Sequence, residues 1–198
     1  MFIAGLTGNF GMGKSYVLSL FSDLGAVTLD TDRIVARLLD EDRVIREIEA
    51  LFGKDIIGPD GTIDRKAVAR RVFGDEMWRR KLEALLHPLV FREIDRFTEE
   101  IKDRDCIVII EVPLLFEGNH RERFRKVITV YTPEETAVGR LVQSGFSREE
   151  ALARLKVQLP IETKQAGADY TIDNSGTKED TKRQVQEIYR SLTAEMTE

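Results

Sequence analysis

The chain has 198 residues, 33% of them charged, with 30 Lys and Arg against 35 Asp and Glu and a net charge of -5. A chain of this length buries one sizeable core with room for an insertion, and its mixed charges and ordinary apolar fraction exclude disordered and fibrous classes. No global positive field draws nucleic acid or an anionic membrane to it, so a phosphate-bearing ligand must be held by a local site.

Phe2 to Leu6 is a short apolar run that stops at a glycine-rich turn, which is the pattern of a strand buried on both faces. From Lys14 to Leu24 the residues Val17, Leu20, Phe21 and Leu24 share one helical face, and Gly25 is placed to end that helix. Val27 to Leu29 predicts a second strand running into Asp30-Thr31-Asp32. Ile34, Val35, Leu38 and Leu39 predict one helix, and Val44, Ile45, Ile48, Leu51 and Phe52 another that Gly53 breaks. A turn spans Gly58 to Gly61. Beyond it Trp78, Leu82, Leu85 and Leu86, then Val90, Ile94, Phe97 and Ile101, repeat at helical spacing, and Pro88 predicts a break between two helices. Cys106 to Ile110, Val127 to Tyr131 and Tyr170 to Asp173 read as further strands alternating with helices.

The alternation predicts an α/β fold with a parallel sheet and helices on both faces. The helical stretch after the second strand exceeds what a crossover needs and is the expected acceptor-binding insertion, about residues 40–104. The core is then about 1–39 and 105–198. The single cysteine, Cys106, cannot form an internal disulfide, and the N-terminal apolar run is too short for a signal segment or a membrane span. A cytoplasmic location is the expectation.

The octapeptide Gly8, Asn9, Phe10, Gly11, Met12, Gly13, Lys14, Ser15 fits GxxxxGK[ST] directly after a strand and at the opening of a helix. Glycines let the backbone curl so that successive N–H groups face phosphate oxygens, and the helix adds its positive end. In that pattern Lys14 reaches the β and γ phosphates of ATP and the Ser15 hydroxyl ligands Mg2+. A chance match would lack the strand before it and the helix after it. The chain has no guanine-reading NKxD segment, so a kinase of a small acceptor is favoured over a hydrolase switch.

Asp30 and Asp32 follow the second strand, at the edge where open α/β sheets bind ligands. A carboxylate there can accept the proton of an attacking hydroxyl, with Asp32 the better candidate. Helix capping is the competing role for either, and Mg2+ support a further one for Asp30. Glu111 could hold Mg2+ through water, although plain structure is the preferred reading there. The basic stretch Arg121, Arg123, Arg125, Lys126 reads as a solvated loop.

Taken in order, GNFGMGKS, the DTD at 30–32, LLHP at 85–88, VPLLFE at 112–117, RLKVQ at 154–158 and ADYTIDNSG at 168–176 resemble the dephospho-CoA kinase family over nearly the whole chain. The resemblance implies a P-loop NTPase fold with a short helical lid at about 140–160. It also implies transfer of the ATP γ-phosphoryl group to the ribose 3'-hydroxyl of dephospho-CoA, the last step of coenzyme A synthesis, with ATP and Mg2+ as cofactors and no nucleic-acid or membrane partner. By the same resemblance Asp32 is the base, Arg140 covers the donor phosphates, and Asn174, Ser175 and Gly176 lie against the adenine. His87, Leu114, Leu115 and Glu117 border the acceptor; helix closure for His87 and plain core for Leu114 and Leu115 stay open beside this. Insertion and lid are expected to approach one another on binding. Other small-metabolite kinases, nucleoside monophosphate kinases and a non-catalytic ATP sensor are the rival readings.

Two positions depart from the family pattern. A second lid arginine a few residues after Arg140 is missing, leaving Arg148 or Arg154 for its phosphate contact. Tyr16 replaces the small residue usual after the P-loop serine, and sits against the bound nucleotide in this reading.

Overall fold

A computed structural model describes residues 1–197, except for the side chains of residues 73 and 74. In chain order the elements are β1 (Phe2–Thr7), α1 (Lys14–Asp23), β2 (Val27–Asp30), α2 (Thr31–Leu38), α3 (Asp42–Phe52), α4 (Arg65–Gly74) and α5 (Glu76–Glu100). There follow β3 (Ile107–Glu111), β4 (Lys126–Tyr131), α6 (Glu134–Gln143), α7 (Arg148–Lys156), α8 (Ile161–Gly167), β5 (Tyr170–Asp173) and α9 (Lys178–Thr197). The chain divides into two compact units, residues 1–30 with the chain from Asp103 onward, and residues 31–102.

The first unit is built on a five-stranded sheet in the order β2-β3-β1-β4-β5, with every neighbouring pair parallel. The strands are apolar on both faces because both are covered, and all five residues of β3 are buried. Ile128 and Val130 of β4 join Val17 and Phe21 of α1 and Val185 and Leu192 of α9 in one core cluster. Thr129, between them, points the other way and donates to the Lys164 carbonyl of α8 at 3.2 Å. Helices therefore cover both faces. Each large side chain fully buried here, such as Phe2 or Phe21, contributes about 1.5–3 kcal/mol relative to exposure.

The second unit consists of α2 to α5. Its buried side chains include Ile34, Leu38, Val44, Ile48, Phe52, Ile56, Val68, Leu86, Val90 and Ile94. Phe52 packs on Trp78 with ring centroids 5.1 Å apart. Turn 58–61 closes with a bridge between Ile57 and Ile63. The Asp64 carboxylate then accepts from the N–H groups of Lys66 and Ala67 and starts α4, a helix absent from the sequence reading.

Two sequence expectations are corrected. Pro88 does not separate two helices: it lies inside α5, a continuous helix of 25 residues. An interior proline costs about 3 kcal/mol through one lost backbone bond and a ring clash. The apolar stripe of Leu86, Val90, Phe91 and Ile94 runs across the break and outweighs that cost. His87 is accordingly mid-helix, and the reading in which it closes a helix falls. The basic stretch 121–126 is no solvated loop either. Arg121 pairs with Asp169 at 2.7 Å, Lys126 reaches Glu195 at 3.4 Å, and the Arg125 guanidinium lies over the Phe2 ring at 4.5 Å.

Candidate active site

Strand β1 ends at Thr7, and the loop 8–13 carries the chain into α1 with Gly13 as N-cap. Gly13 has φ of 89°, a left-handed conformation that strains any side chain, and a Cβ there would collide with the Asn174 amide. Gly11, with φ of 78°, lies so close to α6 that a Cβ would stand 2.8 Å from the Ala137 carbonyl. No side chain caps α1 and no acidic residue occupies its first turn, so its positive dipole end suits an anion. Lys14 is 8% exposed, with its ammonium donating to the Asn9 carbonyl at 3.3 Å. Ser15, in the first turn, is exposed. Tyr16 is half-buried and packs against the main core cluster.

The far side of the loop is bracketed by two predicted residues. Arg140, in the last turn of α6, donates to the Asn174 carbonyl at 2.8 Å and to the Met12 carbonyl at 3.5 Å. Asn174, 6% exposed, donates from Nδ2 to the same Met12 carbonyl at 2.9 Å and accepts from Thr181 Oγ1 at 3.0 Å. Arg140, Asn174 and the phosphate loop are thus brought together, whereas Ser175 and Gly176 beside them are exposed.

Phe10 packs against α6 and α7. Phe10 meets Phe146 edge-on at 5.4 Å, and both pack on Val138, Leu141, Ala151 and Leu155. The Arg154 guanidinium lies 4.9 Å from the Phe10 ring and 4.5 Å from the Phe146 ring. Burial there pulls its pKa below the ordinary arginine value, partly opposed by Glu150. Arg148 instead forks onto the Glu135 carboxylate at 2.7 and 2.9 Å on the surface.

At the carboxyl edge of the sheet, Asp30 is in register with Glu111, and Glu111 with Leu6 of β1. Beyond β3, Thr7 Oγ1 donates to the Pro113 carbonyl at 3.2 Å. Leu114 is half-buried, while Leu115 is 0% exposed and belongs to the core. Glu117 accepts from the Leu159 N–H at 3.1 Å and pairs with Lys164 at 2.8 Å. Asp32 and His87 lie in the second unit, Asp32 exposed in the first turn of α2 and His87 half-buried in α5.

Ser15, Asp30 and Glu111 offer only oxygen donors, the set that Mg2+ prefers, and no cluster of three or more His, Cys, Asp or Glu that could cage a metal occurs among the described residues. Gln158 and Leu159 also reach the loop, with Lys164 behind them through Glu117, and sequence reading missed their part in it. RLKVQ marked the segment, but nothing local shows that a lysine such as Lys164 is fully buried.

A family model described as dephospho-CoA kinase matches residues 2–180. The dephospho-CoA kinase of Aquifex aeolicus is 42% identical over 190 residues, 96% of each chain. A crystal structure from Thermus thermophilus matches with a TM-score of 0.81 at 38% identity, covering 97% of this chain and 98% of the other. Dephospho-CoA kinase from Campylobacter jejuni matches with a TM-score of 0.71 at 27% identity over 97% of both chains. With a parallel five-stranded sheet and a phosphate loop after β1, the fold is that of P-loop kinases, and the chain belongs to the dephospho-CoA kinase family.

Proposed function

We propose that this protein transfers the γ-phosphoryl group of ATP to the ribose 3'-hydroxyl of dephospho-CoA, giving CoA and ADP, with Asp32 as the base. The family match over residues 2–180 carries this reading. Asp32 takes the proton of the 3'-hydroxyl as its oxygen attacks the γ-phosphorus, and the bond from that phosphorus to the β–γ bridging oxygen breaks to release ADP. Main-chain N–H groups at the start of α1 and the Lys14 ammonium hold the donor phosphates and meet the charge that grows on them.

Arg140 adds a guanidinium with five donors, of which two are engaged by the Met12 and Asn174 carbonyls. Arg154, stacked over Phe10, replaces the missing second lid arginine; Arg148, already forked onto Glu135, does not. Asn174 to Gly176 line the adenine, and Tyr16 flanks the nucleotide. His87 and Leu114 border the acceptor, the insertion being residues of about 40–104 and the lid about 140–160. Mg2+, when bound, would be held by Ser15 with support from Asp30 or Glu111, and would neutralise phosphate charge.

No helix among the described residues is long and apolar enough to cross a membrane, and the net charge of -5 favours neither nucleic acid nor an anionic membrane. We place the protein in the cytoplasm on these grounds and on its single unpaired cysteine.

A coupled assay of ADP release with dephospho-CoA, AMP, CMP and shikimate tests the acceptor. Turnover of any other acceptor in preference to dephospho-CoA would sink the reading. Asp32→Asn is expected to lower kcat by about 10²–10⁴-fold with ATP affinity retained; an unchanged kcat would remove Asp32 from the mechanism.

A further inference from the structure

Lys164 is a lysine on a seven-residue helix with no exposed surface. Its ammonium meets the Glu117 carboxylate at 2.8 Å and donates to the Pro113 carbonyl at 3.1 Å. Burial holds its pKa below the ordinary lysine value; the bond to Glu117 opposes that, and the charge of Lys14 adds to it. A buried ion pair of this kind adds little net stability, because desolvating two charges cancels most of their attraction. What it does supply is position.

That position is passed along a chain of hydrogen bonds. The Glu117 oxygen that meets Lys164 also accepts from the Leu159 N–H at 3.1 Å. The Leu159 carbonyl accepts from Asn9 Nδ2 at 3.1 Å, and the side-chain oxygen of neighbouring Gln158 accepts from the Phe10 N–H at 2.8 Å. The Asn9 carbonyl in turn accepts from Lys14. Residues 158–159 therefore form a strap lying on the first half of the phosphate loop, and Glu117 and Lys164 hold the strap from behind.

We propose that Glu117 and Lys164 are positioning residues for phosphoryl transfer: through the 158–159 strap they set the phosphate loop, and neither touches the acceptor. The strap uses the Asn9 side chain and the Phe10 N–H, and Met12 N–H closes the turn on the Asn9 carbonyl at 3.3 Å, so the first half of the loop is held from both sides. Because Glu117 and Gln158 are fixed by partners that ATP does not displace, the loop is ordered before ATP arrives. This rests on the kinase reading above, and it differs from the expectation that Glu117 borders dephospho-CoA.

The double variant Glu117→Leu/Lys164→Met removes the pair without stranding a charge and tests the proposal directly. The expected result is a Tm close to the parent's, ATP affinity by calorimetry and kcat/KM for ATP each lower by about tenfold to a hundredfold, and KM for dephospho-CoA within about twofold. Glu117→Gln/Lys164→Met keeps an oxygen for the Leu159 N–H, likewise strands no charge, and is expected to recover most of the loss. Should the double variant fold poorly, Gln158→Leu cuts the strap at Phe10 and is expected to shift the same ATP parameters. Parent-like ATP affinity in the folded double variant and in Gln158→Leu would overturn the proposal, as would a rise in KM for dephospho-CoA alone. A parent protein that binds ATP but does not phosphorylate dephospho-CoA would refute the acceptor reading and leave the calorimetric arm standing.

Discussion

The two units keep their polar groups in opposite ways. In the sheet unit the polar bonds around the phosphate loop are buried: Asn174 on Met12, Asn9 on Leu159, Lys164 on Glu117. In the helical unit ion pairs such as Arg96 with Glu93 at 2.6 Å and Arg65 with Asp40 at 3.1 Å lie at the surface, while apolar stripes fill the interior. A buried polar bond fixes one geometry because its loss strands a partner away from water; an exposed pair exchanges for solvent at little cost. The unit proposed to hold the donor phosphates is the one whose loop is set by buried polar bonds.

The sharpest break of that contrast is at the loop. Lys14→Met keeps the length of the buried stem but removes its charge. It is expected to lower kcat/KM by about 10²–10³-fold, the range for loss of one preorganised donor to transition-state charge, with Tm nearly unchanged. Steady-state kinetics and a thermal melt on the same preparation check this; a large fall in Tm would mean that Lys14 is structural first.

Next comes the bracket. Asn174→Ala removes the shorter of two bonds at both the Met12 carbonyl and the Thr181 hydroxyl, leaving only Arg140 at 3.5 Å and the Thr177 carbonyl at 3.3 Å, which costs about 1–3 kcal/mol and lowers Tm by several degrees in a protein of this size. Replacing Arg96 by Ala on α5 removes an exposed i,i+3 pair, and its expected cost is under about 0.5 kcal/mol. Urea melts of the two variants measure the contrast directly. Equal losses would show that burial is not what distinguishes the units.

Legibility from sequence follows the same division. The order of strands and helices and the phosphate loop were readable because their signals are local: runs of β-branched residues, helical periodicity and a glycine pattern beside a strand. Pro88 misled because a proline is a local signal for a break, whereas Leu86, Val90, Phe91 and Ile94 outweigh it through packing that no local window contains. Helix α4 was missed because Arg65, Lys66, Arg70 and Arg71 crowd a short segment in which Val68 is the buried aliphatic residue. The docking of Arg140 and Asn174 on the Met12 carbonyl spans 128 and 162 residues of chain, and only family resemblance hinted at it. Lys164 gave no hint, since lysine is ordinarily exposed and its burial is decided by Glu117, far away in sequence.

The smallest expected effect lies where the bracket meets the surface. Asp180 accepts from the Thr177 hydroxyl at 2.7 Å and from its N–H at 3.3 Å, and Asp180 N–H returns a bond to Thr177 Oγ1, closing the start of α9 one residue before Thr181. The Thr177 hydroxyl, the Thr177 N–H and Arg183 together hold the Asp180 carboxyl below its ordinary value of 3.8. A depressed carboxylate stabilises the fold above the unfolded-state pKa, and that stabilisation is lost as pH falls through the folded-state value. Asp180→Asn should therefore melt slightly below the parent at neutral pH, and the two melting curves should converge as pH drops below 3.8. A difference in Tm that persists unchanged into acid would assign the effect to side-chain shape, and α9 would then hold Thr181 against Asn174 without help from charge.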